Sequence, residues 1–194
     1  MNNSWYEIVS PDAPLGQGDL LFDCPLLAWR DNPPVAPQSA QLETSSFVEW
    51  RLRNVIVLTQ ACDLAHGKVK DVVLSPHFAL SDYRLLWVNW MQSRNQTASE
   101  KAWKRMCEDV SDGYVWNLSF LDQCAQPEVA TGVRVVDFHQ VFTAPRRLIE
   151  TQIASAAKPR LRLRSPYVEF LSQAFARYFM RVGLPQPITP EWKT

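Results

Sequence analysis

Apolar and polar positions change their period along the chain, and each change predicts an element. Gly18-Asp19-Leu20-Leu21-Phe22 follows a proline-rich lead and runs into Cys24-Pro25, which predicts a short strand opened by a glycine turn. Phe47 to Leu52 alternates in the manner of a half-buried strand. Asn54-Val55-Ile56-Val57-Leu58-Thr59 is instead a continuous run suited to a strand buried on both faces. The His66-Gly67-Lys68 turn returns the chain into Val69 to Pro76, a third strand expected to stop at its proline and to form a hairpin with the second. Between the first two strands, residues 30–46 are polar and carry Pro33, Pro34 and Pro37, a loop as long as those that serve as lids or binding loops.

Further along, residues 84–90 (RLLWVNW) are apolar enough for either strand or helix. Thr97-Ala98-Ser99-Glu100 offers a capping box, and Trp103, Met106, Cys107 and Val110 recur at helical spacing, which predicts an amphipathic helix over 98–110. Tyr114 to Leu121 and Val133 to Phe138 resume strand character, and Arg146 to Ser155 predicts a helix after Pro145. Arg160-Leu161-Arg162-Leu163-Arg164 alternates, so a strand turns both leucines to one face and all three arginines to the other. Ser165 and Pro166 then open a last helix, 166–182. Its Phe170, Phe175 and Phe179 are expected to pack on the core, and Gly183 and Pro185 to end it.

Composition narrows the class. With 46% hydrophobic residues and eight Trp, nine Phe and five Tyr in 194 residues, the chain can fill the core of one domain spanning 1–194 without a metal or disulfide staple. A collagen, a coiled coil and a disordered tail are excluded. Fourteen Pro against six Gly argue against long helices before residue 95. Cys24, Cys62, Cys107 and Cys124 are irregularly spaced, with no C-x-x-C, so free thiols are expected. The N-terminus lacks a basic, apolar leader, and no apolar run approaches the ~20 residues that span a bilayer, so a cytoplasmic protein without membrane contact is expected.

The order of a glycine-led strand, a long loop, an Arg-headed buried strand and a strand ending in proline resembles the MazF/PemK toxins. The resemblance rests on Gly18-Asp19-Leu20-Leu21, Arg53-Asn54-Val55-Ile56-Val57-Leu58-Thr59 and Val72-Val73-Leu74-Ser75-Pro76, within residues 16–80. It implies an α+β, mainly β fold. This is an SH3-like small barrel with a core over 16–80 and 114–164, the helix 98–110 inserted and the helix 166–182 at the C-terminal end. It also implies that Arg53 inherits the arginine that stabilises charge at a scissile RNA phosphate. The family's proline is replaced by Asn54, and the threonine after its strand-ending proline is replaced by His77, a candidate general base. A structural Arg53 capping a strand end is the other reading of that residue. Thr59-Gln60-Ala61-Cys62-Asp63-Leu64 is similar to a [ST]-Q-x-C-D-L signature of uncharacterised bacterial proteins that open with a G-D-[IL] strand, and it brings no known chemistry.

At that strand exit Gln60, Cys62 and Asp63 are candidate binding residues. Cys62 is a nucleophile if His66 serves it as base, and otherwise a small buried hydrophobe with Gln60 and Asp63 bonding turn amides. Cys62, His66, His77 and Cys24 are metal-ligand types, but their spacing is not zinc-like, and no metal or cofactor is expected. Net charge is zero, yet residues 1–133 hold 10 Lys/Arg and 16 Asp/Glu while 134–181 hold 9 and 3. Arg160, Arg162 and Arg164 therefore either face phosphates of RNA or a single strand, or neutralise the acidic N-terminal part. Two functions follow. Because the family's threonine is missing, the favoured one is a non-catalytic SH3-like-barrel binding module of a bacterial conflict or toxin-like system, contacting protein or nucleic acid and compatible with a homodimer. The alternative is a divergent MazF-like endoribonuclease.

Overall fold

The computed structural model describes residues 4–32 and 44–180. It is a mixed α and β fold on an eight-stranded sheet with antiparallel ladders, in the order β1-β8-β2-β3-β4-β6-β5 with β7 beside β4. The strands are β1 (Tyr6–Val9), β2 (Asp19–Trp29), β3 (Val48–Val57), β4 (Asp71–Ala79), β5 (Leu118–Leu121), β6 (Arg134–Asp137), β7 (Phe142–Pro145) and β8 (Arg160–Leu163). The helices are α1 (Ala61–Ala65), α2 (Leu80–Ser93), α3 (Glu100–Ser111), α4 (Arg146–Ala156) and α5 (Tyr167–Phe179). Among the described residues no ladder joins β1 to β5, so the sheet is open. Its two ends still meet: the Tyr6 hydroxyl donates to the Asp122 carbonyl just beyond β5, at 2.6 Å.

The run Val55-Ile56-Val57 is the middle of the sheet, with all three side chains out of water as the unbroken apolar run requires. Strand alternation sends Ile56 to one face, where it packs with Leu20, Val136, Phe138, Leu161 and Leu171 of α5. Val55 and Val57 go to the other face, with Leu21, Cys24, Leu74 and Ile149 of α4. The sheet is thus covered on both sides by helices placed late in the chain, and none of the described helices is long and apolar enough to cross a membrane.

Several expected elements differ. The two runs over 47–59 form one strand, β3. Pro76 does not stop β4: it is the last residue paired with β3, at Val55↔Pro76, and the strand runs on against β6 on its other edge from His77↔Val136, with the side that lacks an N–H turned away from β3. Residues 84–90 lie in α2, a 14-residue helix that contradicts the expectation of no long helix before residue 95. The prolines that motivated that expectation cluster in 11–37, and 77–126 contains none. The 98–110 helix is α3, and its N-cap is Ser99, whose hydroxyl accepts from the Ala102 amide at 3.2 Å. In α5 the buried stripe is Leu171 with Tyr167, Val168, Ala174, Phe175 and Tyr178 beside it, whereas Phe170 and Phe179 are more than half exposed. The proposed end of that helix at Gly183 and Pro185, and positions 33–43 of the long loop, lie outside the described residues.

Replacing Leu171 with Ala should lower stability by about 2–5 kcal/mol, the cost of a core cavity, while Phe170→Ala should change it by no more than about 0.5 kcal/mol. Urea unfolding of the two variants against the parent decides between this stripe and the one centred on Phe170.

Candidate functional site

The arginine ladder is spent inside the protein. Register pairs Asp19 of β2 with Arg162 of β8, and the Asp19 carboxylate is fully buried. Its Oδ2 accepts from the Gly16 amide at 2.9 Å, Arg160 Nε at 2.8 Å and Arg162 Nη2 at 3.0 Å, and its Oδ1 accepts from Arg162 Nε at 2.5 Å. Arg160 donates three of its four other hydrogens to the carbonyls of Ser10, Ala13 and Pro14, and Arg162 also reaches Pro14. Of the two readings of these arginines, the pairing of Arg160 and Arg162 with Asp19 agrees with neutralisation of the acidic N-terminal part: Arg160 is buried, Arg162 is half-buried and held above its ordinary pKa by its hydrogen bond to Asp19, and Arg164 is the exposed one of the three. Arg160 and Arg162 share a strand face as alternation predicted, with Asp19 against it, and Arg164 lies just past the end of β8.

The Thr59–Leu64 stretch leaves the core at the end of β3 and enters α1. Its polar groups are wired into the fold: the Thr59 hydroxyl accepts from the Val73 amide at 2.7 Å, and the Leu64 carbonyl accepts from Arg146 at 2.8 Å. Gln17, which sequence reasoning passed over, accepts from the Ala61 amide and donates to Ser172 of α5, tying this corner to the last helix. Gln60 is exposed and Asp63 half-buried. Cys62 is exposed, which corrects the reading of it as a small buried hydrophobe. Its Sγ lies 3.8 Å from Gln60 Oε1 and 3.7 Å from Asp63 Oδ1, and no hydrogen bond joins it to His66, whose side chain is turned to solvent. A nucleophile there lacks its base. Among the described residues no three His, Cys, Asp or Glu side chains gather as a metal site.

His77 is buried in β4, 1% exposed. Arg134 donates to its Nδ1 at 3.0 Å, Phe22 packs edge-on against its ring, and its Nε2 is buried with no hydrogen-bond partner. Burial first, and the Arg134 charge second, push its pKa down to about 3, so the ring is neutral across the working range. Arg53 is half-buried on β3, opposite Cys24, and no hydrogen bond or ion pair joins it to His77. The candidate base is thus a buried, neutral ring bonded to Arg134, on a different strand from the candidate charge stabiliser.

What the structure does expose is apolar. Beyond Arg53 the β3 strand leaves β4, and beyond Leu20 the β2 strand leaves β8, so Cys24–Trp29 and Val48–Arg53 pair only with each other as a two-stranded arm. The directly opposed pairs Pro25/Leu52, Leu27/Trp50 and Trp29/Val48 share one face. On it Leu27, Trp29, Trp50 and Leu52 are 57%, 72%, 61% and 67% exposed. The 47–52 alternation predicted a half-buried strand, and the half turned to solvent is the apolar one. The opposite face buries Leu26 and carries Arg51 bridging Glu49 at 2.6 Å and Asp31 at 3.0 Å, with Arg30 on Glu49 at 3.0 Å. A second apolar surface lies on α2, where no residue is buried and Leu85, Leu86 and Trp90 face out. The chain matches no protein-family model, no curated protein and no solved structure.

Three outcomes test this geometry. Asp19→Ala should cost about 3–5 kcal/mol in urea unfolding, because it leaves two partly or fully buried guanidiniums without their carboxylate. Alkylation followed by peptide mass spectrometry should label Cys62 first and Cys24 last, since burial pushes the Cys24 thiol up to about 11. The folded His77 binds its proton more weakly than the unfolded one. Its contribution is therefore complete above pH ~6.5 and is lost as pH falls toward 3, at up to about 1.4 kcal/mol per pH unit. In His77→Gln the decline between pH 6.5 and 5 should flatten, and an unchanged slope would assign it to other groups.

Proposed function

We propose that the chain is a non-catalytic binding module of a bacterial conflict or toxin-like system, built on a divergent SH3-like barrel, and that it takes a protein partner on the β2–β3 arm. The barrel reading is supported by the curl of the sheet, which brings Tyr6 of β1 and Leu121 of β5 into one core cluster. The observation that carries the function is the apolar face of Leu27, Trp29, Trp50 and Leu52. At those exposures it presents on the order of 500 Å² of apolar surface, a patch size that marks an interaction site on a monomer. A two-stranded ribbon is marginal in water on its own, so cover on this face also stabilises the arm.

Charge supports a protein over a nucleic acid. Of the cations on and beside the arm, Arg30 and Arg51 are engaged with Glu49 and Asp31, and of the arginines at 160–164 two are engaged with Asp19, so among these Arg53 and Arg164 alone carry no ion pair. Phosphate binding needs unspent cations. Trp side chains over a neutral polar rim are instead the composition of protein interfaces.

A photo-crosslinking residue placed at Trp29 or Trp50 in the native cell should give one discrete protein adduct. That adduct should be absent from the same residue placed at Tyr114 and lost on adding Leu27→Asp. An adduct dissolved by ribonuclease would assign the arm to RNA. RNA cleavage by the purified chain that disappears in Arg53→Ala would restore the endoribonuclease.

A further inference from the structure

The ladder between β2 and β8 lasts for the pairs Asp19↔Arg162 and Leu20↔Leu161. Continued in register it would set Phe22 opposite Pro159, which has no N–H to give, and there the strands part. The gap between them is a cavity of about 1130 Å³. Leu21, Phe22 and Leu161 wall it from the sheet, Ile149 and Ile153 from α4, and Val129 from the turn beneath β5. A volume of this order holds a drug-sized molecule, and a mostly apolar wall with few polar groups is the ordinary make-up of such sites.

The polar groups on the wall are specific. The Cys24 thiol donates to Gln152 Oε1 at 2.8 Å, and Gln152 Nε2 donates to the Pro25 carbonyl at 2.9 Å. A carboxamide has two lone pairs and two hydrogens, so Gln152 keeps one of each. Arg160 borders the cavity, but its guanidinium is committed to Asp19 and to the carbonyls of Ser10, Ala13 and Pro14. At the rim Asp23 and Glu128 stand against Lys158.

We infer that this cavity binds a neutral, mainly apolar small molecule anchored by one polar group on Gln152. An anion is disfavoured because Arg160 is already engaged with Asp19 and the one other lining cation, Lys158, stands with two lining carboxylates, Asp23 and Glu128. Strand addition by a peptide is disfavoured because Gln152 already holds the Pro25 carbonyl and α4 stands over that edge of β2. Attack by Cys24 is disfavoured as well, since its proton is engaged with Gln152 and burial raises its pKa to about 11.

The test is a titration of the full chain with Nile red, a neutral apolar dye that brightens out of water, beside a dansylated undecanoic acid as its anionic counterpart. Nile red should bind saturably at one site, at least tenfold more tightly than the anion. Ile153→Trp, which fills the cavity, should weaken it at least tenfold. Ser155→Trp, at an exposed rim position where the core is untouched, should do the same, and its loss of binding stands for the proposal if Ile153→Trp does not fold. Gln152→Leu should weaken the dye several-fold. Trp29→Ser with Trp50→Ser should leave the affinity within twofold, because the arm is a separate surface. The inference is overturned by an absence of saturable binding, by preference for the anionic probe, or by binding that follows the arm variant and ignores both tryptophan substitutions in the cavity.

Discussion

One buried carboxylate organises the sheet. Asp19 carries a single negative charge among two guanidiniums, and the surplus positive charge is met by the carbonyls of Ser10, Ala13 and Pro14. Removing such a set from water is costly, and the cost is offset only when each hydrogen finds its acceptor. The geometry is therefore demanding, and demand specifies register. A one-residue slip of β8 along β2 would put Leu161 or Leu163 against the carboxylate and turn Arg162 toward the core. Gly18 belongs to the same device. Its φ of +80° and the crowding a Cβ would meet at Leu163 leave only glycine fitting in front of Asp19. The Gly-Asp opening of the strand thus has a structural explanation in this chain.

The rest of the architecture follows from a mismatch in length. β2 has 11 residues and β8 has 4, and β8 is anchored at the Asp19 end. Past Leu20 one edge of β2 has lost its partner at Pro159, and on the N-terminal side of Val55 β3 pairs with no residue of β4. The first loss opens the cavity between β2, α4 and the turn at Val129. Together the two losses leave a ribbon that projects with an apolar face uncovered. Cavity and arm are thus neighbouring consequences of two ladders that end early, and Pro25 belongs to both.

Much of this was legible before any coordinates. The unbroken apolar run named the central strand, the capping signal placed α3, and alternation put Arg160 and Arg162 of β8 on one face. What the arginines faced was not legible, because ion pairing joins positions more than 140 residues apart and leaves no local period. The periodicity of 47–52 showed which residues share a face but not which face is buried, since that depends on whether another layer stands over it. His77 and Cys62 were misplaced for the same reason: burial is set by tertiary neighbours, Phe22 and Arg134 for the histidine and open solvent for the thiol.

The inversion that results is the functional argument. Residue types that suggest chemistry, the arginines of β8 and the histidine of β4, are buried and engaged, whereas tryptophans and leucines that a core would accept stand in water. Burial of a charged group is maintained by its partners, so Asp19, Arg160 and Arg162 explain themselves through the fold they hold together. Exposure of Trp29 and Trp50 has a smaller internal return, because the cross-strand pairs they make with Val48 and Leu27 steady the ribbon but leave most of each indole in water. A catalytic reading draws on polar groups of which Arg160, Arg162 and His77 are buried or half-buried, while Cys62 stands at the surface. A binding reading draws on surface the fold leaves unused, and for that reason the arm, rather than the strand exit at Cys62 or the buried ring of His77, is where a partner is to be sought.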